Sequence, residues 1–181
     1  MRKRFGRPVF GVLVLLCALV GTGLAADETP AGVAVGSAVP DFSAPALGGE
    51  TFRLSAETGS GRVVLLNFWG LRCGACIEEI PHLNALAGKH RGKVSVVGVN
   101  VDGAGANALR EQMEKIGLSI AYTVLPDPEM RVVDMFQLAG APLNAIVGKD
   151  GRLKYRREGF EAGDEKALEQ AVVDALGTPG N

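Results

Sequence analysis

Cysteine, histidine and tryptophan are scarce in this chain, with three, two and one among 181 residues. A structural zinc site needs four ligands, usually in two pairs. His82 and His90 are the only histidines, and with Cys73 and Cys76 they give no such pairing, so no metal is expected. A c-type haem attachment needs histidine directly after the second cysteine of its motif; Ile77 stands there. Excess positive charge is also missing. The formal net charge is −1, and of the 19 Lys and Arg, four (Arg2, Lys3, Arg4 and Arg7) precede the first acid, Asp27, which leaves 15 against all 20 Asp and Glu. Such an acidic balance argues against nucleic acid or an anionic membrane surface as a partner. No apolar run reaches the about 20 residues of a membrane span. There is no internal repeat and no low-complexity tract, and a hydrophobic content of 47% argues against disorder.

What is present begins with a basic start, an apolar run from Val9 to Val20 and then small residues. That order describes a secretory signal over residues 1–25, with cleavage after Ala25 or, next, Ala26; an uncleaved N-terminal anchor is the alternative. Cys17 lies within the apolar run after Leu15 and Leu16, not after a small residue, and reads as part of the signal rather than a lipid-attachment site. Residues 26–35 read as a linker and 36–178 as one domain. Once the signal is removed, only Cys73 and Cys76 remain. A bridge across two intervening residues closes almost no loop and stabilises little, so the pair points to redox reactivity rather than to a staple.

Asp41–Leu47 and Glu50–Leu54 flank Gly48-Gly49 as a hairpin. Val63–Phe68 and Val94–Val101 read as buried strands. Ile77, Ile80, Leu83, Leu86 and Ala87 recur at helical spacing. Ala106–Ile116 reads as a helix with Leu109, Met113 and Ile116 on one side and Gly117 as its stop. A strand at Ile120–Leu125 and a short helix at Glu129–Phe136 follow. Leu143–Val147 and Leu153–Arg157 flank a second turn, and Asp164–Leu176 closes the chain as a helix that Asp164 caps. Alternating strands and helices predict an α/β domain with a mixed sheet.

The segment Asn67-Phe68-Trp69-Gly70-Leu71-Arg72-Cys73-Gly74-Ala75-Cys76 sets C-x-x-C between a strand and a helix. Free N–H groups and the dipole at a helix N-terminus stabilise a thiolate, the nucleophile of disulfide exchange. Gly74 and Ala75 are small enough for a partner's disulfide to approach. Cys73 is expected to attack it, and Cys76, one turn deeper, to resolve the mixed disulfide.

These motifs, with Gly36-x-x-Val39-Pro40-Asp41-Phe42, Val99-Asn100-Val101-Asp102 and Gly140-Ala141-Pro142, resemble the TlpA-like and ResA-like periplasmic or membrane-associated thioredoxins, which overlap in pattern with the peroxiredoxin-like superfamily. The resemblance covers roughly residues 36–176. It implies a thioredoxin fold: a central mixed sheet flanked by helices, an N-terminal hairpin, and a helix–strand insertion between Asp102 and Gly140. It implies a cis Pro142 facing the cysteines, Ala141 pairing with an extended substrate segment, and a contact surface of Trp69, Arg72, Gly74, Ala75, Ala141 and Pro142. It implies that Glu79, in a Glu-x-Pro pattern with Pro81, is partly buried and moves the proton of Cys76. Arg72 and Ala75 depart from the Trp and Pro usual there, which leaves the redox potential open. The expected activity is reduction of protein disulfides in the periplasm by a monomer. A membrane thiol carrier would be the electron donor, no cofactor is needed, and apocytochromes c are among the targets. The alternatives are a peroxiredoxin-type peroxidase, for which Gly70, Leu71 and Arg72 supply no hydroxyl ahead of Cys73, and a binding module whose cysteines are incidental.

Overall fold

The computed structural model describes residues 32–177. The signal segment, its cleavage site and the first part of the linker lie outside them. Gly32, within the linker, is already tied down: its N–H donates to Gln137 Oε1 at 2.8 Å.

The N-terminal hairpin is made by β1 (Ser43–Pro45) and β2 (Thr51–Arg53), antiparallel, with Ala44 opposite Phe52. The central sheet has β3 (Val63–Trp69), β4 (Val94–Asn100), β5 (Thr123–Pro126), β6 (Leu143–Val147) and β7 (Leu153–Glu158) in the order β5-β4-β3-β6-β7. Its left half is parallel, β3 with β4 and β4 with β5; its right half is antiparallel, β3 with β6 and β6 with β7. The helices are α1 (Leu54–Gly59), α2 (Gly74–Lys89), α3 (Ala106–Lys115), α4 (Arg131–Phe136) and α5 (Asp164–Gly177). This is the thioredoxin fold, with α3 and β5 as the central insertion.

Every residue of β3 is buried, because both faces of the sheet are covered; hence a sequence that is apolar at every position but Asn67. Val64, Leu66 and Phe68 face the hairpin and α4, where Phe68 stacks obliquely on Phe136 with centroids 5.0 Å apart. Val63 and Leu65 face α2 and α5, against Leu83, Leu86, Leu168 and Val172. Each fully buried leucine contributes about 1.5–3 kcal/mol. α2 runs through Pro81 without ending there.

Four sequence expectations change. Leu54 opens α1 rather than ending a strand; Leu54-Ser55-Ala56-Glu57-Thr58-Gly59 has too few apolar positions to display a helical period. Ile116 is 55% exposed, because α3 stops at Lys115 and Ile116 has left the buried face. The stop itself is as expected: Gly117 takes φ +67°, its N–H donates to the Glu114 carbonyl, and the Leu118 N–H donates to that of Met113. α4 starts at Arg131, later than expected, because buried Asp127 sets its beginning: Oδ1 accepts the Arg131 N–H and Oδ2 those of Val132 and Val133. Asp164 does not cap α5 from its side chain; Oδ2 accepts the Glu161 N–H at 2.9 Å and the Arg157 guanidinium at 2.6 Å.

Candidate active site

β3 delivers the chain to the site at the end of the parallel pair, where Trp69 lies opposite Asn100. The turn that follows is held by β4. Asp102 Oδ2 accepts the Leu71 N–H and the Asn100 side-chain amide, both at 2.8 Å, while the Asp102 N–H returns to Asn100 Oδ1 at 3.2 Å. Gly70 suits this contact: a Cβ there would stand 3.2 Å from Asp102 Oδ1. The chain then enters α2 with Cys73 as its N-cap residue.

Cys73 and Cys76 form a disulfide. Cys73 Sγ also accepts the Cys76 N–H at 3.2 Å. In the reduced protein that N–H and the start of α2 place positive potential on the Cys73 sulfur, which favours its thiolate. The two sulfurs differ in access: Cys73 is half-buried, whereas Cys76 is 1% exposed, beneath the first turn of the helix. Opposite them the Ala141–Pro142 bond is cis, and the Ala141 carbonyl oxygen is 3.4 Å from Cys73 Sγ. The sheet ladder resumes one residue later, where the Gly159 N–H donates to the Pro142 carbonyl.

Arg72 and Gly74 are exposed beside Cys73, and Ala75 and Ala141 are half-buried. Trp69 corrects the expected contact surface. It is 0% exposed and packs with Cys76, Ile80, Leu109 and Met113, so it backs the cysteine pair from inside and reaches no docked partner. Its indole packs over Gly98 of β4: a Cβ there would come within 2.9 Å of Trp69 Nε1. Pro142 is also buried, so of the two loop residues expected at the contact surface only Ala141 is partly accessible.

Glu79 lies one turn beyond Cys76 and is 1% exposed. Its carboxylate closes a ring of buried side chains. Asn144 Nδ2 donates to Oε1 at 2.5 Å, Asn67 Nδ2 donates to Oε2 at 3.0 Å, and the same Asn67 amide reaches Asn144 Oδ1 at 3.0 Å. Burial pushes the Glu79 carboxyl up to about 7; the Asn144 and Asn67 amides pull it down, and the charge of Asp164 raises it further. A carboxyl poised there exchanges protons near neutrality. In the sequence Asn67 reads only as part of the strand that leads to the cysteines, and Asn144 only as part of a later strand. The signal for both is one polar side chain in an otherwise apolar strand, and they face each other across β3 and β6. Asn100 and Asp102 likewise read only as part of a strand end.

His82 is exposed on α2, its ring 5.8 Å from that of Phe160, and His90 sits beside Glu169. Neither approaches the cysteines, and no cluster of three or more His, Cys, Asp or Glu among the described residues could hold a metal ion.

The pattern of the AhpC/TSA family matches residues 35–156. The chain is 32% identical over 148 residues to thiol-disulfide oxidoreductase ResA of Geobacillus kaustophilus, covering 79% of this chain and 81% of that protein. It is 29% identical over 179 residues to thiol:disulfide interchange protein DsbE of Xylella fastidiosa, covering 95% and 85%. Among solved structures, the exposed lipoprotein thioredoxin Etrx1 of Streptococcus pneumoniae superimposes with a TM-score of 0.64 at 25% identity, covering 75% of this chain and 99% of that one. A Chlorobium tepidum protein, provisionally described as thiol:disulfide interchange protein DsbE, gives 0.71 at 29% identity, covering 81% and 100%.

Proposed function

The chain belongs to the AhpC/TSA family and is a thiol–disulfide oxidoreductase of the ResA/DsbE type, and from that premise we propose that it reduces disulfides of protein partners outside the cytoplasm. The observation that carries this reading is the asymmetry of the pair: a reachable Cys73 facing the Ala141 carbonyl, bonded to a buried Cys76 one turn from a buried carboxyl.

The Cys73 thiolate attacks one sulfur of the partner's disulfide, forming a mixed disulfide and releasing the partner's other sulfur as a thiolate, which takes a proton from solvent. Glu79 accepts the Cys76 proton, directly or through one water. The Cys76 thiolate then attacks Cys73 Sγ, the Cys73–partner bond breaks, and the partner's second sulfur leaves reduced and is protonated. Two electrons have passed from the cysteine pair to the partner, and the pair is left as the Cys73–Cys76 disulfide. Arg72, Gly74, Ala75 and the Ala141 backbone form the surface an extended partner segment lies on. A donor dithiol must regenerate the pair; a membrane thiol carrier suits the export signal at residues 1–25. Disulfide-bonded apocytochromes c fit as targets, on the resemblance to the TlpA-like and ResA-like group.

The deciding measurement is the reduction potential of the Cys73–Cys76 couple in a dithiothreitol series. A value near about −270 mV supports a reductant, whereas one near about −120 mV assigns an oxidant and overturns the proposal. Insulin should be reduced, and hydrogen peroxide should not be consumed at a comparable rate.

A further inference from the structure

Glu79 sits where two surfaces of the protein come close together. One is the face that carries Arg72, Cys73, Gly74, Ala75 and Ala141. The other is a groove of about 150 Å³ between α2 and α5, lined in part by Glu79, His82, Phe160, Glu165 and Lys166. None of the residues of the cysteine face lines this groove, so it offers a route to solvent that does not pass through that face. That matters for the resolving step. A proton taken from Cys76 while a partner covers the sulfurs must leave by another way before Glu79 can act again.

We propose that the α2–α5 groove is the proton exit of the active site and that His82 carries the proton from Glu79 to solvent. This rests on the reading of Glu79 as the acceptor of the Cys76 proton. Glu79 and His82 are three apart on α2 and therefore neighbours on one face, with Cβ atoms about 5–6 Å apart. The groove has room for bridging water, whose share of liquid volume is about 30 Å³, and Glu79, His82 and Glu165 offer it polar partners along walls that are otherwise mostly apolar. An imidazole is the side chain suited to such a transfer near neutrality, taking a proton on one nitrogen and releasing one from the other. The step balances: the Glu79 carboxyl returns to carboxylate, His82 becomes imidazolium, and solvent removes its proton.

The charged groups around this path fit the traffic. Glu165 and Lys166 at the start of α5 face His82 across the groove, and Lys89 and His90 engage Glu169 at its far end. The Glu165 carboxyl is held below its usual range by backbone N–H groups, its own and that of Gly163, and by the charge of His82. Around Glu79 itself stand Asn67 of β3, Asn144 of β6 and, at the head of α5, Asp164. Phe160 packs on the His82 ring and limits its swing. His82 touches neither sulfur and acts only through Glu79.

The test uses steady-state turnover with dithiothreitol as electron donor at saturating partner, where Glu79 must shed its proton in every cycle, with insulin as a protein partner and glutathione disulfide as a small one. At pH 7, His82→Ala should slow turnover with insulin at least about tenfold, within the roughly 10²–10⁴ that a general base contributes. Added imidazole should restore it by entering the groove. With glutathione disulfide, which leaves the cysteine face open to water, the loss should be small. If His82→Ala matches wild type with insulin while Glu79→Gln is slow, the exit route is wrong and Glu79 stands. The route is equally overturned by slowing that imidazole does not relieve, or by equal slowing with both partners. An unchanged Glu79→Gln rate removes the reading of Glu79, and this proposal with it.

Discussion

Three side chains divide the labour at the site by how far each is from solvent. Cys73 is reachable and sits where the helix start favours its thiolate; Cys76 and Glu79 are each 1% exposed. Cys73→Ser should therefore abolish disulfide exchange, while Cys76→Ser should trap mixed disulfides on Cys73, seen as a mass adduct after reaction with insulin. Faster alkylation of Cys76 than of Cys73 in the reduced protein near pH 7 would reverse these roles. Glu79 adds a pH signature. With its carboxyl raised to about 7 by burial, the proton-accepting form is scarce at pH 6 and dominant at pH 8. Resolution should rise through that interval in wild type, and this inflection should vanish in Glu79→Gln. Glu78→Gln, exposed on the next position, should keep the wild-type profile. Identical profiles for wild type and Glu79→Gln would make Glu79 a helix residue and nothing more.

At the scale of elements, the end of β4 and Asp102 just past it position the reactive turn. Asp102→Ala leaves the Leu71 N–H without its acceptor and leaves the buried Asn100 amide with only the Trp69 carbonyl, 3.4 Å away. For the buried Asn100 amide a lost partner costs about 1–3 kcal/mol, which urea unfolding should report. Asp102→Asn keeps an acceptor oxygen and should recover much of the loss; no loss in Asp102→Ala would show the clamp to be dispensable. Elements with a clear sequence period or turn signal were legible: the hairpin around Gly48-Gly49, the apolar β3, the face of α2, and the Gly117 stop. The strand–Cys-x-x-Cys–helix order gave the site's centre. What was not legible depends on tertiary partners. α1 is short and mostly polar. Ile116 has the right spacing for the buried face but falls just past the helix end. Trp69 beside the cysteines reads as a contact residue until the sheet shows it turned inward over Gly98. Asn67 and Asn144 are 77 residues apart and become a pair only through the antiparallel register of β3 and β6.

The whole molecule should feel Glu79 in its stability. The folded carboxyl has its pKa raised to about 7 from 4.5, so between these values the folded state binds more protons than the unfolded chain. Stability must then fall as pH rises through that window and level off above it. At 1.36 kcal/mol per unit, the gap corresponds to at most about 3 kcal/mol. Asp41 works in the opposite sense and elsewhere: the Ser55 hydroxyl and N–H hold its carboxyl below the usual range, so its contribution is lost only at more acidic pH. The disulfide form is the one to measure, since neither cysteine then titrates. Urea unfolding of oxidised wild type should show stability declining from pH 5 to pH 7.5. Oxidised Glu79→Gln, which has no proton to exchange there, should stay level, so the difference between the two proteins shifts in the variant's favour as pH rises. A level wild-type curve would mean that Glu79 titrates in the folded protein as it does in the unfolded chain. The burial of that carboxyl among Asn67 and Asn144 would then not make it a proton carrier near neutrality.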